Sequence, residues 1–133
     1  MKTNLILLLR ISYWAGAVLD ILAALVMLFP SLFIAINQPA NFQANAAYRY
    51  AMGMGAPLMI GWTVLLLWAD RKPVERKGIL PITLIVIAGE VAIQVWGILT
   101  GFLPLPALLP TFVMQALLGS LFVFSYFYAR NLK

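Results

Sequence analysis

The stretch ISYWAGAVLDILAALVMLFPSLFIAI, residues 11–36, decides the fold. It is longer than the roughly 20 apolar residues that cross a hydrocarbon core about 30 Å thick, and it carries one charged side chain, Asp20. Three more runs of the same character follow, near residues 48–69, 78–102 and 107–129. The pattern predicts an all-α polytopic membrane protein, a four-transmembrane-helix bundle formed by residues 1–133 as a single membrane domain.

Composition agrees with that reading. Hydrophobic residues make up 64% of the 133 positions and charged residues 10%, far from the roughly half-apolar, quarter-charged make-up of soluble domains. Four spans and their connections use almost the whole chain. Lys2 and Arg10 precede the first run as basic residues precede the core of a secretory signal, but the run is too long and lacks a small-x-small cleavage site, so a retained first helix is expected.

The connections differ in chemistry. Asn37 to Asn45 is an uncharged polar loop, Asp70 to Lys77 is the one charge-dense segment, and Leu103-Pro-Leu-Pro106 is short enough to predict a tight antiparallel hairpin between the third and fourth spans. In a four-span arrangement Lys2, Arg10, Arg71, Lys72, Arg76, Lys77, Arg130 and Lys133 fall on one side and only Arg49 on the other. The positive-inside rule then places both termini and the charged loop in the cytoplasm, with the chain integral to the cell (plasma or inner) membrane. Tyr13, Trp14, Tyr48, Tyr50, Trp68, Tyr126 and Tyr128 lie near span ends, as an aromatic belt does.

The formal charge of +5 does not point to nucleic acid, because the basic residues form no stripe interleaved with aromatics. Cysteine and histidine are both absent, which removes disulfides, thiol chemistry and the usual zinc, copper and haem ligands. No cofactor is implied. No serine-histidine-aspartate set, phosphate loop or dinucleotide fingerprint is present, so an enzyme is not expected.

Asp20 lies about ten residues into the first run, or roughly 15 Å deep at 1.5 Å per residue. An ionised carboxylate there costs several kcal/mol, so it must be neutral, paired or in a hydrated cavity. At helical spacings of three, four and seven its neighbours are Tyr13, Gly16, Ala17, Ala23, Ala24 and Met27, a small-residue face of the kind that packs helices in membranes. Glu90 reaches a similar depth in the third run, with Thr83, Gln94, Gly97 and Gly101 on its face and Trp96 toward an adjoining one. Thr111, Gln115 and Gly119 repeat the pattern in the fourth run. Gly53, Pro57 and Gly61 form a small-residue ridge in the second, where Pro57 cannot donate to the Gly53 carbonyl and predicts a kink.

Asp20, Glu90, Gln94, Gln115, Tyr13 and Trp96 are therefore the candidate binding residues, with Arg49 a candidate contact to a lipid or other anion. At least one of the acids is expected to hold a proton at neutral pH, since no basic residue lies at mid-span to pair with either. Three function classes follow. The first is a small proton- or cation-coupled transporter, oligomeric so as to enclose a pathway; it resembles the small multidrug transporters in general design, without a shared motif. The others are a non-catalytic accessory subunit whose polar residues fix helix register, and a lipid-binding protein with a pocket for a cationic or hydrophobic ligand. Expected partners are the bilayer and either further copies of the chain or a membrane complex.

The charge count makes a direct prediction. A cysteine placed at Asn41 should react with an impermeant thiol reagent added to intact cells, and one placed at Val74 should react only once the cytoplasmic face is opened; labelling of position 74 from outside would reverse the orientation.

Overall fold

The structure, a computed structural model, describes residues 2–130. Lys133, counted above among the orienting charges, and the side chain of Lys2 lie outside that description. Five helices follow one another: α1 (Lys2–Leu28), α2 (Pro30–Asn37), α3 (Ala46–Asp70), α4 (Ile79–Leu99) and α5 (Leu105–Ala129). All but α2 are long and apolar enough to cross a membrane.

The first run is thus two helices rather than one. Proline disfavours the α conformation in the residue before it, and Phe29 is accordingly extended, with φ −114° and ψ 96°. Pro30 then occupies the first turn of α2, where its missing N–H breaks no helical bond. The helix also begins at Lys2 instead of residue 11, because Arg10 does not end the apolar run: residues 5–9 are Leu-Ile-Leu-Leu-Leu, and the candidate span extends over Asn4–Leu28.

Helix α1 is the hub, packed against both α3 and α5, and α5 in turn carries α4. Close approach centres on Gly16, where an added Cβ would stand 2.8 Å from Leu66 Cδ1 of α3 and 2.9 Å from Phe122 Cζ of α5. Around it Leu9, Tyr13, Ala17, Leu66, Ala69, Leu80, Phe122 and Ala129 form the core cluster. Ser12 and Ser125 share a buried hydrogen bond of 2.6 Å between α1 and α5. Trp62 Nε1 donates to Thr83 Oγ1 at 3.2 Å, joining α3 to α4.

One end of the bundle collects the basic residues. Arg10 makes a two-pronged contact with Asp70, at 2.8 and 3.1 Å, and Trp14 Nε1 donates to the same carboxylate at 3.2 Å. Arg76 donates to the Trp68 carbonyl and lies over the Trp68 ring. Lys77 Nζ donates to the carbonyls of Ala129 and Arg130, fixing the end of α5. Tyr13, placed above in the aromatic belt, is fully buried here, its hydroxyl donating to the Pro73 carbonyl at 3.1 Å. Seven residues below Asp20 on a helix, it is about 10 Å away along the axis and takes no part in a shared site.

At the opposite end the hairpin between α4 and α5 closes as expected from its length. Gly101 adopts φ +72°, the Phe102 and Leu103 N–H groups bond to the Gly97 carbonyl, and the Gly101 N–H bonds to Ile98, the pattern of a left-handed C-cap. Leu103 folds onto Gly97, leaving no room for a Cβ there. Asn45 caps α3 through the Tyr48 N–H at 2.9 Å. Ala40 N–H reaches the Phe102 carbonyl, and Phe42 stacks among Phe33, Tyr48 and Phe102.

The small-residue ridge of α3 faces outward. Gly53, Pro57 and Gly61 are exposed, with open space around Gly53 and Gly61, and α3 is assigned as continuous through Pro57. Gly16 and Gly61 therefore make opposite predictions. Gly16→Leu should lower stability by about 1–3 kcal/mol through overpacking against Leu66 and Phe122, whereas Gly61→Leu should change it by no more than about 0.5 kcal/mol. Thermal unfolding in detergent, followed by tryptophan fluorescence, measures both; equal losses would mean that the helices do not converge at Gly16.

Candidate functional site

Helical spacing aims the face of α1 that carries Asp20 at the interior. Tyr13, Gly16, Ala17 and Ala24 are buried, Ala23 and Met27 half-buried, while Val18, Leu22, Leu25 and Phe29 are exposed. Asp20 is half-buried in the middle of this face, about 15 Å above Arg10. On α4 the buried Thr83, half-buried Glu90 and Gln94, and buried Gly97 share one face. On α5 Gln115 is 7% exposed, between Leu108 and Phe122 on the same buried side.

Two of these faces are joined by a hydrogen bond, and the third acts on them electrostatically. Gln115 Nε2 donates to Glu90 Oε2 at 3.2 Å, which fixes α4 and α5 at one level, and Asp20 lies within coulombic reach of Glu90. Gln94 stands one turn beyond Glu90 on the same face of α4. Toward the basic end the cluster is underlain by uncharged groups of α3: Thr63 Oγ1 donates to the carbonyls of Met59 and Ala17, and Trp62 is tied to Thr83. Asp20 and Glu90 are the charged or titratable groups of the cluster; no basic side chain hydrogen-bonds to either among the described residues.

The hydrogen-bond inventory is unbalanced. Asp20 Oδ2, Gln94 Oε1 and Gln115 Oε1 are shielded from solvent and have no partner among the described residues. All three are acceptors, and leaving a shielded acceptor unpaired costs about 1–3 kcal/mol. The surplus fits a ligand that donates: a proton, water, or a cation bearing N–H or O–H groups. The buried hydroxyl pair Ser12 and Ser125 lies apart from the cluster, the two bonded to each other and Ser12 also to the Leu8 carbonyl. No group of three acidic side chains among the described residues has metal-binding geometry.

The other residues singled out from the sequence stand apart from this cluster. Trp96 is 60% exposed and points away from the bundle, because it follows Glu90 by six residues, far from the three, four or seven that share a face. Tyr13 is committed to Pro73. Arg49 is exposed, with Nε donating to the Ala44 carbonyl at 3.2 Å, so it braces the start of α3. Sequence reasoning passed over Trp62 and Thr63, which underlie the site; a tryptophan and a threonine in an apolar run carry no signal of their own, and only the pairing with Thr83 and Ala17 shows their place.

An apolar groove on the surface between α1 and α5, lined by Ala15, Leu19, Leu109, Val113, Leu117 and Leu121 among others, shares no residue with the polar cluster. It offers shape but no polar group to orient a ligand. No family model, curated protein or solved structure matches the chain, so the site is read from its own chemistry.

Proposed function

We propose that the chain is a small multi-pass membrane protein, with both termini and the Asp70–Lys77 loop in the cytoplasm, that exchanges a proton for a cation at Asp20 and Glu90 as a small transporter does. One observation carries the reading: Asp20 and Glu90, both mid-helix in an apolar bundle, act on each other electrostatically, and the shielded oxygens Asp20 Oδ2, Gln94 Oε1 and Gln115 Oε1 have no donor among the described residues. The setting supports it. Large apolar side chains such as Leu58, Ile85, Leu99 and Leu117 are 68–81% exposed, a surface suited to acyl chains and unsuited to water.

A purely structural role accounts for the bond from Gln115 to Glu90, which joins two helices in the manner of membrane polar contacts. It gives no account of Asp20, whose unpaired oxygen has to be offset by other interactions. Ionised together the two carboxylates repel, so a proton held by one of them lowers the cost of the resting state. A cation entering the site replaces that proton, and the two compete. Because the chain is short, association with further copies would complete an enclosed pathway across the bilayer.

The test uses the full chain in liposomes loaded with a pH-sensitive dye and exposed to a panel of inorganic and organic cations. The wild type should release protons on cation addition, with weaker apparent cation binding as pH falls. Asp20→Asn and Glu90→Gln should reduce the response to that of protein-free liposomes while eluting as folded protein. Infrared difference spectra should show a protonated carboxyl band that one of the two variants lacks. Two ionised carboxylates in the resting protein, or folded variants that still exchange, would overturn the proposal.

A further inference from the structure

We infer that residues 29–45 form a hinged cap over the end of the bundle opposite the basic residues, and that its opening admits ligands to Asp20 and Glu90 from that side. The inference rests on the reading of the two acids as a site and deepens it by naming the way in. The segment reaches the ends of all four long helices. It leaves α1 at Phe29 and packs α2 against α1 and α5. Its Ala40 N–H bonds to the Phe102 carbonyl, in the turn after α4, at 2.9 Å. Phe33 and Phe42 lie against Tyr48 of α3, with ring centroids 5.5 and 4.7 Å away. The hold is slight all the same. None of the described residues of α2 is buried, and one hydrogen bond among the described residues ties the segment across to the α4–α5 hairpin. Phe29, extended between two helices, is placed to absorb the backbone rotation of a hinge.

Tyr48 works against closure. Its ring packs beneath the cap, but its hydroxyl is shielded there and has no partner among the described residues. With the cap lifted the hydroxyl is hydrated, so the closed state alone bears the unpaired group. Under the cap the packing is thin. Between it and the level of the acids the buried residues are Ala24, Ala56, Gly97 and Leu108, and Met27 lies across Gly55, its Sδ 3.3 Å from where a Cβ would stand. Three of those four residues are small, and a methionine side chain bends aside readily. The other half of the bundle is filled by Leu9, Tyr13, Leu66, Leu80 and Phe122, each 0% exposed, and shut by the contacts of Arg10 and Trp14 with Asp70. Entry past the cap therefore displaces less than entry from the basic end.

The chain contains no cysteine, so Ala24→Cys supplies a single thiol between the cap and the acids. In the full chain in lipid nanodiscs, the rate at which that thiol reacts with a small cationic methanethiosulfonate reagent reads how often the route is open. Phe42→Ala removes the ring at the centre of the cap and should raise the rate roughly tenfold, given the strength of aromatic pairs. Tyr48→Phe keeps the ring and deletes the unpaired hydroxyl, so it should lower the rate at least about fivefold; a role in packing alone would leave it unchanged. Asp70→Asn, at the basic end, should stay within about twofold of the parent, as for a surface substitution outside the route. If Ala24→Cys fails to fold, hydrogen exchange at the Ala40 amide of the cysteine-free chain gives the same order, with protection higher in Tyr48→Phe and lower in Phe42→Ala. Rates unchanged in both cap variants, a rise in Tyr48→Phe, or a rise in Asp70→Asn equal to that in Phe42→Ala would overturn the cap. Both readouts follow access and not proton exchange, so their failure leaves the exchange reading standing, and failure of that reading does not move them.

Discussion

A polar atom shielded inside an apolar bundle needs a partner, and leaving it without one costs about 1–3 kcal/mol. Much of this structure is arranged by that constraint. Ser12 meets Ser125, Trp62 meets Thr83, the Thr63 hydroxyl donates to the carbonyls of Met59 and Ala17, and Tyr13 reaches Pro73. Each contact also fixes the rotation of a helix, because a side chain can reach its partner from one face only. Helix register in the core then follows from polar pairing and from the fit of Leu66 and Phe122 over Gly16. Among the described residues Asp20, Gln94 and Gln115 depart from the rule near mid-helix, and the Tyr48 hydroxyl departs from it at the end of the bundle opposite the basic residues.

The two ends of the bundle are held by different means. Charged and aromatic side chains latch the basic end, where Asp70 ties Arg10 and Trp14 together and Lys77 holds the end of α5. Tight packing backs that latch, since the core cluster of Leu9, Tyr13, Leu66, Leu80 and Phe122 lies in the same half. The opposite end is joined by one backbone bond from Ala40 to Phe102 and by ring contacts among Phe33, Phe42, Tyr48 and Phe102. Access to Asp20 and Glu90 from that end would have to separate weaker contacts than access from the basic end.

Much of this was legible from residue spacing, and the failures have physical causes. The inward face of α1 followed from helical periodicity around Asp20, and the α4–α5 hairpin from a connection too short for anything else. The break at Phe29 was hidden because hydropathy continues across Pro30, while the backbone restriction that proline imposes on its predecessor does not register as a change in polarity. Trp96 was assigned to the site from its neighbourhood in sequence, but six residues from Glu90 is most of two turns and lands on another face. Tyr13 was placed near a span end by its type, and its hydroxyl reaches the carbonyl of Pro73 in the basic-end loop, a partner that only the folded chain brings near. The contact between Glu90 and Gln115 spans two helices and was beyond any local pattern, although each residue stood out as polar at mid-helix.

The central claim is that Asp20, Glu90 and Gln115 form one connected site in the middle of the bundle. Carbon-13 labelling of aspartate and glutamate side chains tests it most directly, by following the Glu90 carboxyl resonance across pH in the wild type, Asp20→Asn and Gln115→Leu. A connected site requires both substitutions to shift that resonance and to change its titration, Asp20→Asn by removing the competing carboxyl and Gln115→Leu by removing the donor at 3.2 Å. A Glu90 signal that titrates identically in all three folded proteins would show that the acids act separately, and the site described here would not exist.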